Sequence, residues 1–526
     1  MPQPLTEERT TKRNLSTGAR WAIAAGVVLI VLIAALAIGA NSLAGQARER
    51  IKKTLEESFA SRLQIQTLDV RLFPSVHVTG SGLVLRQKND GDGNKPPLIS
   101  VEQFTADTNL FELLHIPAKI QHVRLNGLRV NVQTGQPKIP DGDSQSPSKK
   151  PPNFVIGEVI ADGARVETIP AQAGKVPLVW DIGKLTLHDG GSERAMSFVA
   201  TLHNAQPPGE IQSTGSFGPW QRDQPAQTPV SGKYVFTDAD LGVFHGISGK
   251  LSSTGEYHGV LERIDAQGHA DVPNFAVSVA GNPVHLTTDF HAMVDGTNGT
   301  TYLQPAVARF GHSSLTAQGV VDTTPGKPGK IISLDVRSAN SRLEDMLRMA
   351  VKGKPALSGA VAFHTKLRLP IIGRDVTEEL ELDGNFDADS TRFAKPDQQQ
   401  KVDKLSNRAR GQTDDAADDS VASDFSGRFK LRQGVMTFTD LSFLVPGASI
   451  SLNGTYKLAD GQIDLTGQAR LQAKLSQTTT GFKSFLLKAV DPFFSKKGAG
   501  AVLPIKISGT RDSPSFGLNL GRKAKK

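Results

Sequence analysis

From Ile65 onward the apolar residues of this chain recur at every second position, and the period persists through most of the sequence. Ile332, Leu334 and Val336 form one run, and Phe363, Thr365, Leu367 and Leu369 form another. Leu380, Leu382, Phe386 and Ala388 share a register, as do Ile463, Leu465, Ala469, Leu471, Ala473 and Leu475. Lys, Asp, Gln and Arg occupy many of the positions between. Side chains that alternate sides at each residue belong to a strand, and a strand apolar on one side only is half-buried in an antiparallel sheet. Counting the runs between Gly, Pro and Asn breaks gives roughly 20 to 25 strands. The expected class is mainly β, and the 51 Gly and 30 Pro fit a turn-rich folded chain.

A second regularity overlies the first. A small polar residue, a glycine and an alternating run recur as SGKYVF from Ser231, TGEY from Thr254 and SGAVAF from Ser358. SGRFKL from Ser426, NGTYKL from Asn453 and SGT from Ser508 continue the series. Glycine at the start of a strand permits a tight turn or a bulge, so the repetition predicts one hairpin plan used many times. A short helix-like segment precedes the unit twice, at Asp240 to Phe244 and at Leu343 to Leu347. A chain built this way grows lengthwise, each unit touching its neighbours.

Ahead of the strands lies an uncharged run, Trp21 to Leu43, which includes Val28, Leu32 and Leu36 and is bracketed by Arg20 and Arg48. As a helix it reaches roughly 34 Å, enough to cross a hydrocarbon core of about 30 Å. A cleaved signal peptide competes, because Ser42, Leu43 and Ala44 resemble a cleavage site, but such apolar cores run to only about 7–15 residues. The run is therefore expected to stay as a membrane anchor. The basic residues on its two sides balance, so charge does not orient it. Gln46 to Leu63, with Ile51, Leu55 and Phe59, reads as an amphipathic helix continuing from it.

Near the other end, Phe482, Phe485, Leu486, Ala489 and Val490 line one side of a helix that Pro492 stops, with Phe493 and Phe494 beyond it. This segment, 478–491, either caps the open end of the sheet or touches a lipid interface as a gate. Three stretches break the strand pattern: Asn89 to Pro97, Gln136 to Pro152 and Lys395 to Asp424. The last is acidic and poor in large apolar residues, and is expected to be a disordered insertion.

Motifs for chemistry are missing. The chain has no cysteine, and its 12 histidines are scattered without a ligand spacing, so neither metal nor cofactor is expected. Asp90 to Asn94 opens like a calcium loop, but Val101 stands where the bidentate Glu belongs. Ser146 to Lys149 meets S-x-x-K only inside a Pro-rich linker, and there is neither a nucleophile elbow nor a phosphate loop. Asp387 and Asp389 flank Ala388 on one strand and read as solvent-facing. The charge of +8 includes a basic tail, Arg522, Lys523, Lys525 and Lys526, without interleaved aromatic residues, so nucleic acid is not an expected partner. The expectation is a protein that is not an enzyme.

Two long segments carry a resemblance. The first is IQTLDVRLFPSVHVTGSGLVLR, then LISVEQFTADTNLFELLH and IQHVRLNGLRVNV, behind a single anchor. The second is FSGRFKLRQGVMTFTDLSFLVPGASISLNGTYKLADGQIDLTGQARLQ, a helix, and LPIKISGTRDSPSFGLNL. In order and spacing they resemble the AsmA family of bacterial envelope proteins, related to chorein-type lipid-transfer bridges.

The resemblance implies a long, curved antiparallel groove, anchored in the inner membrane with its body in the periplasm. It also implies phospholipid carriage between envelope membranes, with other envelope proteins as possible partners. The alternative is a scaffold for outer-membrane protein assembly. On this reading the chain divides into a cytoplasmic segment 1–20, an anchor 21–43, an N-terminal region 44–135 and a linker 136–152. A central repeat region 153–394, the insertion 395–424, a C-terminal region 425–520 and the tail 521–526 follow. Ile332, Leu334, Val336, Phe363, Leu367, Leu380, Leu382, Ile463, Leu465 and Leu471 are the candidate groove-lining residues. Alternation alone builds an apolar groove and a closed sandwich core equally well.

Overall fold

The computed structural model describes residues 61–519 apart from short gaps and longer breaks at 135–153, 411–419 and 473–501. The anchor run, the Asp90 to Asn94 loop, the Pro-rich linker and Phe482, Phe485, Leu486, Val490 and Phe494 lie outside the described residues. Among the described residues no helix is long and apolar enough to cross a membrane.

Mainly β is the class found. The first strands are β1 (Ser61–Gln64), β2 (Thr67–Arg71), β3 (Val76–Gln87), β4 (Ile99–Thr108), β5 (Ala118–Asn126), β6 (Arg129–Thr134) and β7 (Phe154–Pro170). β1 takes residues 61–63 from the end of the expected amphipathic helix, because those backbone groups pair with β3 instead. β2 pairs with β3 as well, and β3 pairs with β4. β5 and β6 follow one another along β4 and both run parallel to β7. The break between them falls at Gly127, whose φ of +62° suits glycine and where an added Cβ would meet the Glu102 side chain.

Thereafter the strands pair in chain order, each antiparallel to the next. They are β8 (Leu178–Gly191), β9 (Met196–Ala205), β10 (Pro208–Phe217), β11 (Pro229–Asp240), β12 (Ile247–Ser248) and β13 (Lys250–Val260). β14 (Arg263–Val277), β15 (Val284–Val294), β16 (Thr301–Phe310), β17 (Ser313–Thr323), β18 (Lys330–Arg342) and β19 (Leu357–Ile371) continue the sheet. β20 (Glu381–Phe393), β21 (Ser423–Arg432), β22 (Val435–Val445), β23 (Ala448–Lys457), β24 (Gln462–Leu471), β25 (Val502–Thr510) and β26 (Ser513–Leu518) complete it. β12 stands apart, making only a two-residue ladder with β14, so that β11 pairs directly with β13. Parallel pairing at β7 makes this long sheet mixed.

Helices among the described residues include α1 (Leu343–Ala350), α2 (Val376–Glu379) and α3 (Pro396–Ala409). In α1 the first-turn acids Glu344 and Asp345 and the last-turn Arg348 match the helix dipole. Asp345 is buried and accepts hydrogen bonds from the His312 amide at 2.7 Å and the Ser313 hydroxyl at 2.9 Å. The short segments expected at Asp240 to Phe244 and Leu343 to Leu347 are a 3-10 turn over Leu241–Val243 and α1.

α3 replaces the disorder expected of 395–424 by a helix over Pro396–Ala409, while 411–419, with the acidic run, lies outside the described residues. Val402 and Ala409 are buried against Val445 and Ala448, with Leu405, Phe393 and Phe443 packed around them. A segment with few apolar residues folds here because a distant part of the sheet supplies the surface that buries them.

Register shifts interrupt many ladders, among them β11–β13, β14–β15, β15–β16, β18–β19, β20–β21 and β22–β23. A backbone hydrogen bond of 2.7 Å joins the Val376 amide, just after β19, to the His245 carbonyl, just before β13.

Candidate functional site

Most glycines of the repeated unit lie inside strands, while Gly359, the third residue of β19, sits at a register shift as the bulge expectation has it. Gly232, Gly255, Gly427 and Gly454 lie inside β11, β13, β21 and β23, each facing a large side chain on an adjacent strand. Gly232 pairs with Tyr257 and Gly255 with Tyr234, and a Cβ on either glycine would fall within 2.9 Å of the partner's ring or hydroxyl. Each ring lies across the neighbouring strand, in the space a side chain would fill. Gly268 under Phe290, Gly215 under Phe198 and Gly80 under Phe104 repeat the arrangement. The glycine signal in the sequence therefore marks positions where aromatic rings cover backbone, a cross-strand pairing worth about 0.2–1 kcal/mol each.

These positions belong to one side of the sheet, and the register lines them up in rows across the strands. One row runs Leu334, Leu367, Leu382, Leu431, Met436, Tyr456 and Ile463. A second runs Val336, Thr365, Gly384, Phe429, Phe438, Gly454, Leu465 and Ile507. A third runs Ser338, Phe363, Phe386, Gly427, Leu441, Leu452, Gly467 and Ile505. Ile332 pairs with Leu369 at the side of the first row, and Leu471 packs beside α3. Leu380 falls outside β20 and closes α2, its amide bonded to the Val376 carbonyl at 2.9 Å.

Most large side chains in these rows are half-buried rather than buried. Phe386 stands 5.3 Å from Phe425 and 6.2 Å from Phe429 between ring centres, and Phe425 stands 6.2 Å from Phe443. The result is an aromatic stripe worth about 0.5–1.5 kcal/mol per pair beyond simple burial. Between β9 and β14 the same side carries smaller and more polar groups, including Ser213, Tyr234, Ser253 and Tyr257. Burial pushes the Tyr234 and Tyr257 phenols above their ordinary range, so both stay neutral.

The opposite side is polar and its charges are matched across strands. His269 bonds Asp289 at 2.7 Å, His291 bonds Asp265 at 2.9 Å, and His364 bonds Asp335 at 2.8 Å. His269 and His291 are exposed and His364 half-buried, and all are paired, which chain spacing did not reveal because the partners sit on neighbouring strands. The His269 hydrogen bond, followed by that of Arg309, holds the Asp289 carboxyl below the usual range. His364, then Arg337, does the same for Asp335. Asp387 and Asp389 are exposed, as their alternation with Ala388 predicts.

Two shallow depressions of about 580 and 480 Å³ open mainly among polar-side residues such as Lys233, Glu256, Gln267 and His258. The Gln267 side chain donates to Glu256, and Asp289 is already taken up by His269 and Arg309. Among the described residues no group of three or more His, Asp or Glu side chains is placed to hold a metal.

Compared with protein-family models, with curated proteins and with solved structures, the chain matches none of them.

Proposed function

We propose that this chain is a membrane-anchored lipid carrier of the cell envelope, not an enzyme, and that the rows of half-buried apolar side chains are its cargo lane. The single observation that carries the reading is the sheet's apolar side between β17 and β26, where side chains line up in register and no second sheet among the described residues packs on them. An acyl chain needs a water-poor apolar path and no hydrogen-bond partners, and such rows supply one.

On this reading the sheet curls into a groove. The bulges bend its strands, and the Val376–His245 hydrogen bond joins connections that a flat sheet would hold about 29 Å apart across the strands, six strand steps at about 4.8 Å, and at opposite strand ends. From β17 to β26, nine strand steps, the lane measures roughly 43 Å along the hydrogen-bond direction at that spacing. The run Trp21 to Leu43 anchors the protein in the inner membrane, and the strands work in the periplasm. The cap or gate expected of the sequence around Phe482 and Phe485, which lies outside the described residues, belongs to the same reading. Resemblance to the AsmA family supports the same cargo, phospholipid.

A photo-crosslinking residue placed at Leu382, on the apolar side, should capture phospholipid in cells, and one at Asp383, on the polar side, should not. Equal capture at both, or none at any row position, overturns the reading. The observation favouring the alternative, a scaffold for outer-membrane proteins, is the free edge of β26, which among the described residues has β25 as its strand neighbour. Crosslinks from Ser515 to unfolded barrel proteins, without bound lipid, would establish it.

A further inference from the structure

On the apolar side two serine–tyrosine pairs stand out, and the bookkeeping of their protons is fixed by the backbone. Ser213 on β10 has one hydroxyl proton, which it gives to the Lys233 carbonyl at 3.0 Å. A carbonyl only accepts, so the 2.8 Å contact between Ser213 Oγ and Tyr257 Oη must use the phenol's proton. The second pair is built alike. Ser253 on β13 donates to the His269 carbonyl at 2.9 Å, and Tyr234 Oη, 3.1 Å away, donates to Ser253 Oγ. In both pairs the serine is buried and the tyrosine half-buried.

Each phenol oxygen is thereby left able to accept a hydrogen bond and unable to give one. Both oxygens are held in place, since each ring lies over a glycine, Gly232 or Gly255, and its hydroxyl is tied to a serine on another strand. An oxygen of this kind repels a phosphate or a carbonyl, which also only accept. It suits a group rich in N–H or O–H donors.

We infer that Tyr234 and Tyr257 are a headgroup-selecting site, retaining lipids whose polar head bears hydrogen-bond donors, above all a primary ammonium, over lipids with a fully methylated head. The inference rests on the lipid-carrier reading and adds a selectivity that an apolar lane alone lacks. The ring faces attract any ammonium, methylated or not, so discrimination must come from the hydroxyls.

The test uses the full-length protein, purified in detergent and incubated with vesicles of equal parts phosphatidylethanolamine and phosphatidylcholine carrying the same acyl chains. Bound lipid is then quantified by mass spectrometry. The protein should take up the ethanolamine lipid about five-fold over the choline lipid, the ratio expected of one net hydrogen bond. The double variant Y234F/Y257F keeps both rings over their glycines and should bind as much lipid with the ratio near one. S213A/S253A, which frees the phenol protons, should lower the ratio with both tyrosines present.

Bound lipid in the vesicle ratio, or a preference unchanged in either variant, overturns the inference and leaves the carrier reading standing. Absence of both lipids from the protein overturns the carrier reading itself.

Discussion

The region from β1 to β7 and the region from β17 to β26 share the same alternating pattern and put it to different use. In the first, Val76, Val78, Leu85, Ile99, Phe104 and Ile120 are at most 2% exposed and form one packed cluster with Val123, Leu125, Ile156 and Val159. In the second, the equivalent positions Leu367, Leu382, Phe386, Phe429 and Leu465 stay half-buried. Packed apolar clusters occur at two places among the described residues, the β3–β7 region and the contact of α3 with β22 and β23. Alternation therefore specifies that a strand has an apolar side, and the tertiary arrangement decides whether that side is filled or left open.

The sharpest way to break the comparison is to remove equivalent bulk from each region. Phe104→Ala takes a ring from a site that is 2% exposed and should cost about 3–5 kcal/mol, read as a lower urea midpoint for the N-terminal strands by hydrogen exchange. Next in size is Val402→Asp, which puts a charge where α3 is buried. It should cost about 2–3 kcal/mol and release the amides of Pro396–Ala409 to exchange while β1 to β7 stay protected. Leu367→Ala in the open rows should cost only about 1–2 kcal/mol, since part of that side chain already meets solvent. Should Leu367→Ala prove as damaging as Phe104→Ala, the rows are a filled core and the carrier reading loses its basis.

How much of this was legible beforehand depends on whether the signal is local. The period of two is local, and it placed Ile332, Leu334, Val336, Phe363, Leu367, Leu382, Ile463 and Leu465 on one side of their strands. Leu380 fitted the period but sits where α2 ends, because the hydrogen bond to Val376 draws its backbone out of the strand. The glycines were conspicuous but misplaced, since their partner rings lie 21 to 25 residues away, as with Gly255 and Tyr234 or Gly232 and Tyr257. α3 and the histidine pairs were invisible for the same reason: the groups that hold Val402, His269 and His364 are brought up by strand pairing, which no short window contains.

The smallest effect expected tests the other side of the sheet. Asp289 and Asp335 have carboxyls held below their ordinary value by histidine and arginine neighbours, so folding favours their charged form. A carboxylate of that kind stabilises the fold above its unfolded value of about 4, and the contribution fades as pH falls through the lower folded value. The double variant D289N/D335N should thus unfold slightly more easily than the native chain above the unfolded value of about 4, with the gap closing as pH falls through the lowered folded values. Because Asp289 is exposed and Asp335 only half-buried, the gap should also shrink in salt. Lipid capture should not change, since these residues face away from the apolar rows. A gap that persists in acid would show the carboxylates act through packing instead of charge, and a fall in bound lipid would mean that the polar side, and not only the apolar one, handles the cargo.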